Sequence, residues 1–181
     1  GVKNIPLKFD LMQDKSFYKS NFIYPVINST GWLDSHDDVH IKGCYDNTVK
    51  HQQGKIYYID SHLKGLTNII SKKKDIVTHI KDIPWTMLGK ALEGETQSLV
   101  LEIAEDKVKP EYLDLIKSDP ELENSFAMRY IKIHLAIDTK DSGMKENKEA
   151  FDYYVQGIAN KDLAETNKMF FAVEELAIMG E

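Results

Sequence analysis

Apolar and polar side chains alternate over most of the first two-thirds of the chain, and then the rhythm changes. Period-two runs rich in aromatic and β-branched residues predict strands over 6–12, 21–27, 55–59, 68–71, 75–83 and 97–104. Asn28-Ser29-Thr30-Gly31 is turn chemistry, and Lys72-Lys73-Lys74 reads as an exposed turn between two strands. Pro84 interrupts the strand before it because proline has no N–H to give to a ladder. The longest alternation runs over 126–137. It puts Ser125, Ala127, Arg129, Ile131, Ile133, Leu135 and Ile137 on one face, and Phe126, Met128, Tyr130, Lys132, His134 and Ala136 on the other. A final strand is predicted over 170–178. Helices are predicted over 46–51 and over 110–117, where Pro110 suits a first turn and Tyr112, Leu115 and Ile116 share a face. A third is predicted over 145–160, where Ala150, Phe151, Tyr154, Val155 and Ile158 form a stripe.

Seven or eight strands against two or three helices make strands dominant. Short strands separated by turn signals favour closure, since an open hairpin sheet leaves unpaired edges. The expected fold is α+β, mainly β: a closed antiparallel β-barrel core surrounded by a few helices, in a single domain over 1–181. Ala177-Ile178-Met179-Gly180-Glu181 ends inside the last predicted strand, so the natural product is expected to continue and the domain to be truncated at its C-terminus.

Composition removes several function classes. The 181 residues are 42% hydrophobic and 29% charged with a net charge of −6, ordinary for a globular protein and unfavourable for a nucleic-acid binder. No run approaches the roughly 18 apolar residues that span a bilayer, and no signal segment opens the chain. The single Cys44 excludes an internal disulfide and fits a reducing compartment; between Gly43 and Tyr45 it reads as a buried structural thiol rather than a nucleophile. Asp34, His36, Asp37, Asp38 and His40 are a dense set of potential metal ligands, but no spacing such as His-Glu-x-x-His is present. They read better as an exposed loop that shapes a cleft. Neither a metal nor another cofactor is expected.

Two segments carry candidate chemistry. Tyr57-Tyr58-Ile59-Asp60-Ser61-His62 presents a histidine at a strand end, and Glu123-Asn124-Ser125-Phe126-Ala127-Met128-Arg129-Tyr130 presents a serine at a strand start. A serine hydroxyl needs a base to become a nucleophile, and imidazole is the side chain best matched to that work near neutral pH. Taken singly, a solvated histidine and a structural serine are the commoner readings.

Four segments in order change that balance. They are Ile27 through Gly43 with its Asp37-Asp38-Val39, the strand ending Asp60-Ser61-His62, the Asn124-Ser125-Phe126-Ala127-Met128-Arg129-Tyr130 strand start, and the closing run Phe170 through Glu181. Together they resemble the tailed-phage prohead serine proteases, relatives of the herpesvirus assemblins, over nearly the whole chain from Phe22. The resemblance implies an assemblin-like barrel and a serine endopeptidase that cuts scaffold and major capsid proteins, with its own chain as a further candidate substrate, during prohead maturation in the bacterial host cytoplasm. It implies Ser125 as nucleophile, His62 as base and Glu181 as third member, with Glu175, Glu174 and Glu149 as fallback carboxylates and His134 as the assemblin-like alternative. A homo-oligomer is compatible with it; nucleic acid, membrane and cofactor are not expected. Phe126-Ala127 replaces the commoner Val-Gly after the serine, and the helical insert over 145–167 fits one branch of the family. The alternative reading is a catalytically silent capsid-assembly protein on the same fold. An unrelated esterase would carry Gly-x-Ser-x-Gly, and none occurs.

Overall fold

The computed structural model describes residues 2–3, 16–60, 66–119, 122–124 and 126–179. In chain order its elements are β1 (Val2–Lys3), β2 (Phe22–Ile23), β3 (Val26–Ser29), β4 (Asp38–His40), α1 (Asp46–His51), β5 (Tyr58–Ile59), β6 (Ile69–Ser71) and β7 (Ile76–Pro84). There follow β8 (Glu95–Ala104), α2 (Pro110–Ser118), β9 (Glu123–Asn124), β10 (Met128–Ile137), α3 (Lys145–Tyr154), α4 (Lys161–Asn167) and β11 (Met169–Ile178).

β8 organises the larger sheet. Every residue from Ser98 to Ile103 is buried, so both of its faces are covered. Leu99, Leu101 and Ile103 join a core with Ile23, Ile27, Tyr45, Val173 and Leu176, while Val100 joins a second core with Tyr24, Val26, Ile83 and Trp85. β7 pairs antiparallel with β8 from Ile76↔Ile103 to Pro84↔Glu95, and β2 and β3 pair with its other edge. Two pairs of polar side chains caught in this sheet are bonded across it. Ser29 and Ser98 hydroxyls lie 2.7 Å apart, and the Thr96 hydroxyl donates to the Thr30 carbonyl at 2.7 Å.

The second sheet has the order β10-β11-β4. β10 and β11 pair antiparallel from Met128↔Ile178 to Ile137↔Met169, whereas β4 runs parallel to β11, with Val39 opposite Ala172. The β10–β11 register shifts twice, between Tyr130 and Lys132 and between Lys132 and Ile133, leaving Ile131 and Glu174 as the extra residues. The packed face of β10 is the one bearing Phe126, Met128, Tyr130 and Ala136; Ile131 and Ile133 stand on the exposed side.

The closed barrel is not formed. The described strands make two open sheets and two separate two-stranded ribbons, β1–β9 and β5–β6. Closure needs a continuous staggered ladder around every strand. Here β1, β2, β5 and β9 have two residues each, and β4 pairs in parallel. The wholly antiparallel expectation fails with it. What joins the two sheets is the apolar core they share.

Other differences are local. The strand expected over 21–27 is split around Pro25 into β2 and β3, and that expected over 6–12 lies outside the described residues. The stretch read as an exposed loop contains β4, with Val39 fully buried. The helix expected over 145–160 ends at Tyr154, turns through a short 3-10 segment Val155–Gly157, and is followed by α4. That pair of helices is fastened to the β3–β4 turn. Ala159 N–H donates to the Gly31 carbonyl at 2.7 Å, and the Asn160 amide bonds both the N–H and the carbonyl of Leu33 at 2.9 Å. Gly31 has φ +71°, and a Cβ there would sit 2.9 Å from the Gly157 carbonyl, so glycine is required twice over.

Candidate functional site

The three principal candidates, Ser125, His62 and Glu181, lie outside the described residues, and their described neighbours define the region. β5 leads toward His62. It pairs with β6, and its exit is held because Asp60 N–H donates to the Asn68 carbonyl at 2.8 Å and the Tyr112 hydroxyl of α2 donates to the Asp60 carboxylate at 3.1 Å. β9 leads into Ser125. Its Asn124 is 5% exposed, an unusual depth for a carboxamide unless it is bonded. The Tyr58 hydroxyl donates to Asn124 Oδ1 at 2.8 Å, and Asn124 Nδ2 donates to the Val26 carbonyl at 3.3 Å. Beyond the serine, the Ala127 carbonyl accepts from Met179 N–H at 2.9 Å, and Met128 is paired with Ile178. Asn124, which precedes Ser125 in sequence, thus bonds Tyr58, four residues before His62, and Ala127, two residues after Ser125, bonds Met179, two residues before Glu181.

A cleft of about 380 Å³ opens along this edge, lined in part by Trp32, Asp34, His36, Asn124, Phe126 and Met128. His40 lines it as well and is 4% exposed. Its Nε2 lies 3.3 Å from Met128 Sδ, and its ring packs against Tyr45, Phe126 and Tyr130. Burial holds this imidazole down to about 4, with only the charge of Asp34 opposing, so it is neutral at pH 7. A second cleft of about 550 Å³ lies on the other side of His40, between β4, the start of β8 and the α3–α4 junction, with Asp82, Glu95 and the exposed Tyr153 at its wall.

The acidic and histidine-rich stretch from Asp34 to His40 is used structurally. Asp34 Oδ1 accepts from His36 N–H at 2.8 Å and from Asp38 N–H at 3.0 Å, closing the turn in which Asp37 takes φ +61°. Asp37 accepts from the Asn167 amide at 2.9 Å, and Asp38 accepts from the Tyr130 hydroxyl. Burial pushes the Asp38 carboxyl up despite that bond, and burial, then the bond to Asp38, pushes the Tyr130 hydroxyl up. Among the described residues no three His, Cys, Asp or Glu side chains converge on a common point that could hold a metal ion. Cys44 is fully buried, and burial pushes its thiol up to about 12, which leaves it unreactive at neutral pH.

The fallback third members are engaged elsewhere. Glu174, the extra residue of β11, accepts from Lys132, from Tyr154 of α3 and from His134 Nε2 at 3.2 Å. The Lys132 ammonium, then the Tyr154 hydroxyl, holds its carboxyl down to about 2. His134 is six positions along β10 from Met128, roughly 20 Å at the rise of an extended strand, so it sits far from the Phe126 end. Glu175 accepts from Asn47 Nδ2 at 2.8 Å, and Glu149 pairs at 3.6 Å with Lys145 on the exposed side of α3.

Sequence reading did not single out Tyr58 or Asn124. Both stand inside the quoted segments, and the available signal was a carboxamide in a strand leading into the serine. Comparison of the chain with known protein families, with characterised proteins and with solved structures finds no match.

Proposed function

We propose that the chain is a serine endopeptidase of the prohead-maturation kind, with Ser125 as nucleophile, His62 as general base and Glu181 as the group that orients the histidine. The observation that supports the reading is the set of bonds among the flanking residues: Tyr58 to Asn124 beside the serine position, and Met179 to Ala127 on its other side. A serine–histidine–carboxylate centre needs three chain segments, remote in sequence, brought together, and these bonds connect described residues that lie beside those three positions in the sequence. In the reaction His62 takes the Ser125 proton as the oxygen attacks the scissile carbonyl, then returns it to the leaving amine. Water repeats the cycle to release the acyl group. The carboxylate stabilises the imidazolium in each half. The substrates are extended segments of scaffold and major capsid proteins, cut inside the prohead in the host cytoplasm. The adjoining cleft of about 380 Å³, with Trp32, Phe126 and Met128 in its wall, has room for a substrate side chain.

The test is co-expression of the full-length gene with its capsid and scaffold neighbours, comparing wild type with Ser125→Ala, His62→Ala and Glu181→Gln by intact mass. Shorter products confined to wild type, with a weak residue of cutting in Glu181→Gln, are expected. Identical uncut masses in assembled shells for every variant would refute the protease reading and favour a structural role in assembly.

A further inference from the structure

We infer that the outer edge of β10 docks an extended segment of a partner polypeptide, one that carries a carboxylate side chain next to apolar residues at alternate positions. The inference goes beyond the protease reading and does not rest on it.

β10 stands at the end of the order β10-β11-β4, so among the described residues one side of this ten-residue strand has no strand beside it. Two bonds show which backbone groups face that side. The Ala127 carbonyl accepts from Met179 N–H, so Ala127 turns its backbone groups toward β11, and by alternation Met128 and Tyr130 turn theirs away. At the other end the Leu135 carbonyl accepts from Asn147 Nδ2 of α3 at 2.9 Å, so Leu135, and Ile133 two residues earlier, face outward. Among the described residues nothing bonds the outward backbone groups of Met128, Tyr130 and Ile133. The two register shifts cancel, because Tyr130↔Leu176 and Ile133↔Val173 share one register, and β10 resumes its line after Ile131.

Long edges are ordinarily guarded by outward lysines. Here the Lys132 ammonium is turned to Glu174 of β11. The edge presents Ile131 and Ile133, 49% and 44% exposed, together with Arg129. Arg129 is the only arginine in the chain; it is exposed and has no ion-pair or hydrogen-bond partner. A row of outward N–H and carbonyl groups is satisfied by an added strand, and side chains at alternate positions of that strand meet Arg129 and the isoleucines. The guanidinium fork fits a carboxylate at two points. A second copy of the chain fits worse, since two-fold pairing of β10 gathers two unpaired arginines on one short ladder with no carboxylate between them. Nucleic acid is disfavoured by the net charge of −6.

The probe is the end-blocked, fluorescein-labelled peptide Ser-Glu-Thr-Val-Thr-Val-Thr-Glu-Ser. Its glutamates flank the apolar pair, so parallel and antiparallel addition each bring one to Arg129. One twin has lysine in place of both glutamates, and another has proline in place of the central threonine. Fluorescence anisotropy and amide hydrogen exchange are measured on the full chain, wild type and Arg129→Glu, at low salt. Wild type is expected to bind the acidic peptide about 10-fold more tightly than the lysine twin, and Arg129→Glu to reverse that order. The proline twin should lose about 10-fold, because it cannot complete the ladder. Exchange should slow at Met128, Tyr130 and Ile133 when the acidic peptide is bound. Absence of binding at about 1 mM peptide, where only contacts worth less than about 4 kcal/mol go unseen, overturns the inference. So do equal affinities for the acidic and lysine peptides, full binding of the proline twin, or protection that falls away from β10. Protection of β10 without peptide, rising with protein concentration alongside a doubled mass in sedimentation, overturns it in favour of a second copy. Should Arg129→Glu not fold, the three peptides on wild type decide alone.

Discussion

Acid should weaken this protein in a window set by one buried imidazole. His40 is 4% exposed, and burial lowers it from an ordinary 6.5 to about 4. In the unfolded chain the ring takes a proton as pH falls through 6.5; in the folded protein it does not until about 4. The unfolded state therefore binds more protons between these values, and stability is intact above pH 6.5, falls through the window and stops falling below about 4. At 1.36 kcal/mol per unit, the difference reaches about 2 kcal/mol at pH 5.0 and about 3 kcal/mol at pH 4. Urea unfolding followed by the fluorescence of Trp32 and Trp85, at pH 7.5 and pH 5.0, measures it directly. His40→Phe keeps an aromatic ring beside Tyr45, Phe126 and Tyr130 and removes the titration. Wild type should lose about 2 kcal/mol more than the variant between the two pH values, or roughly 4–8 °C in Tm for a chain of this size. Carboxylates contribute equally in both proteins and cancel in the comparison. Parallel losses in the two proteins would refute the assignment of this acid sensitivity to His40.

Gly31→Ala should cost about 1–3 kcal/mol, because the new Cβ meets the Gly157 carbonyl and the residue must hold φ +71°; a thermal melt checks it, and no change would mean that the turn relaxes freely. Phe170→Ala should cost about 3–5 kcal/mol by emptying the space between β11 and Phe151, whose ring centroid is 5.3 Å away. Equilibrium unfolding reads the loss directly. Removing the ammonium in Lys132→Met should raise the Glu174 carboxyl from about 2 toward the ordinary 4.5, as seen by carbon NMR of the side-chain carboxyl. A depressed carboxylate stabilises the fold above pH 4.5 and loses that contribution as pH falls toward 2, so the variant should lose less over that interval.

Local periodicity carried the longest elements. The alternations over 75–83, 97–104, 126–137 and 170–178 became β7, β8, β10 and β11 with small changes at the ends, and α1 occupies the residues expected of it. Tertiary choices were not legible. β4 has three residues, too few for a period to show, and becomes a strand only because β11 lies beside it. The same argument covers β9, whose two residues have no pattern of their own. Barrel closure was inferred from the number of strands, but closure depends on which edges meet, and that is decided by packing. For the site, residue chemistry drew notice to the histidine and serine segments, yet the bond between Tyr58 and Asn124 spans 66 positions and leaves no local trace. Glu174, one of four acidic or basic fallbacks, was legible only as a carboxylate; its anchorage to Lys132, His134 and Tyr154 follows from the two register shifts.

β11 follows every other described element in the chain, and it is the partner on which several of them wait. It pairs with β4 at Phe171↔Asp38, about 130 residues upstream, and its Leu176 and Ile178 carbonyls accept from Thr48 and Gln52. On a ribosome adding about 5–20 residues per second, β4 and α1 would stand exposed without that partner for roughly 6–26 s. Folding of the smaller sheet then waits until β11 has been made, and is slow because the closing contact is so remote in sequence. On the protease reading proposed above, the residues flanking the serine and the terminal glutamate in sequence, bonded through Met179 N–H to the Ala127 carbonyl, would come together only once synthesis has passed this strand.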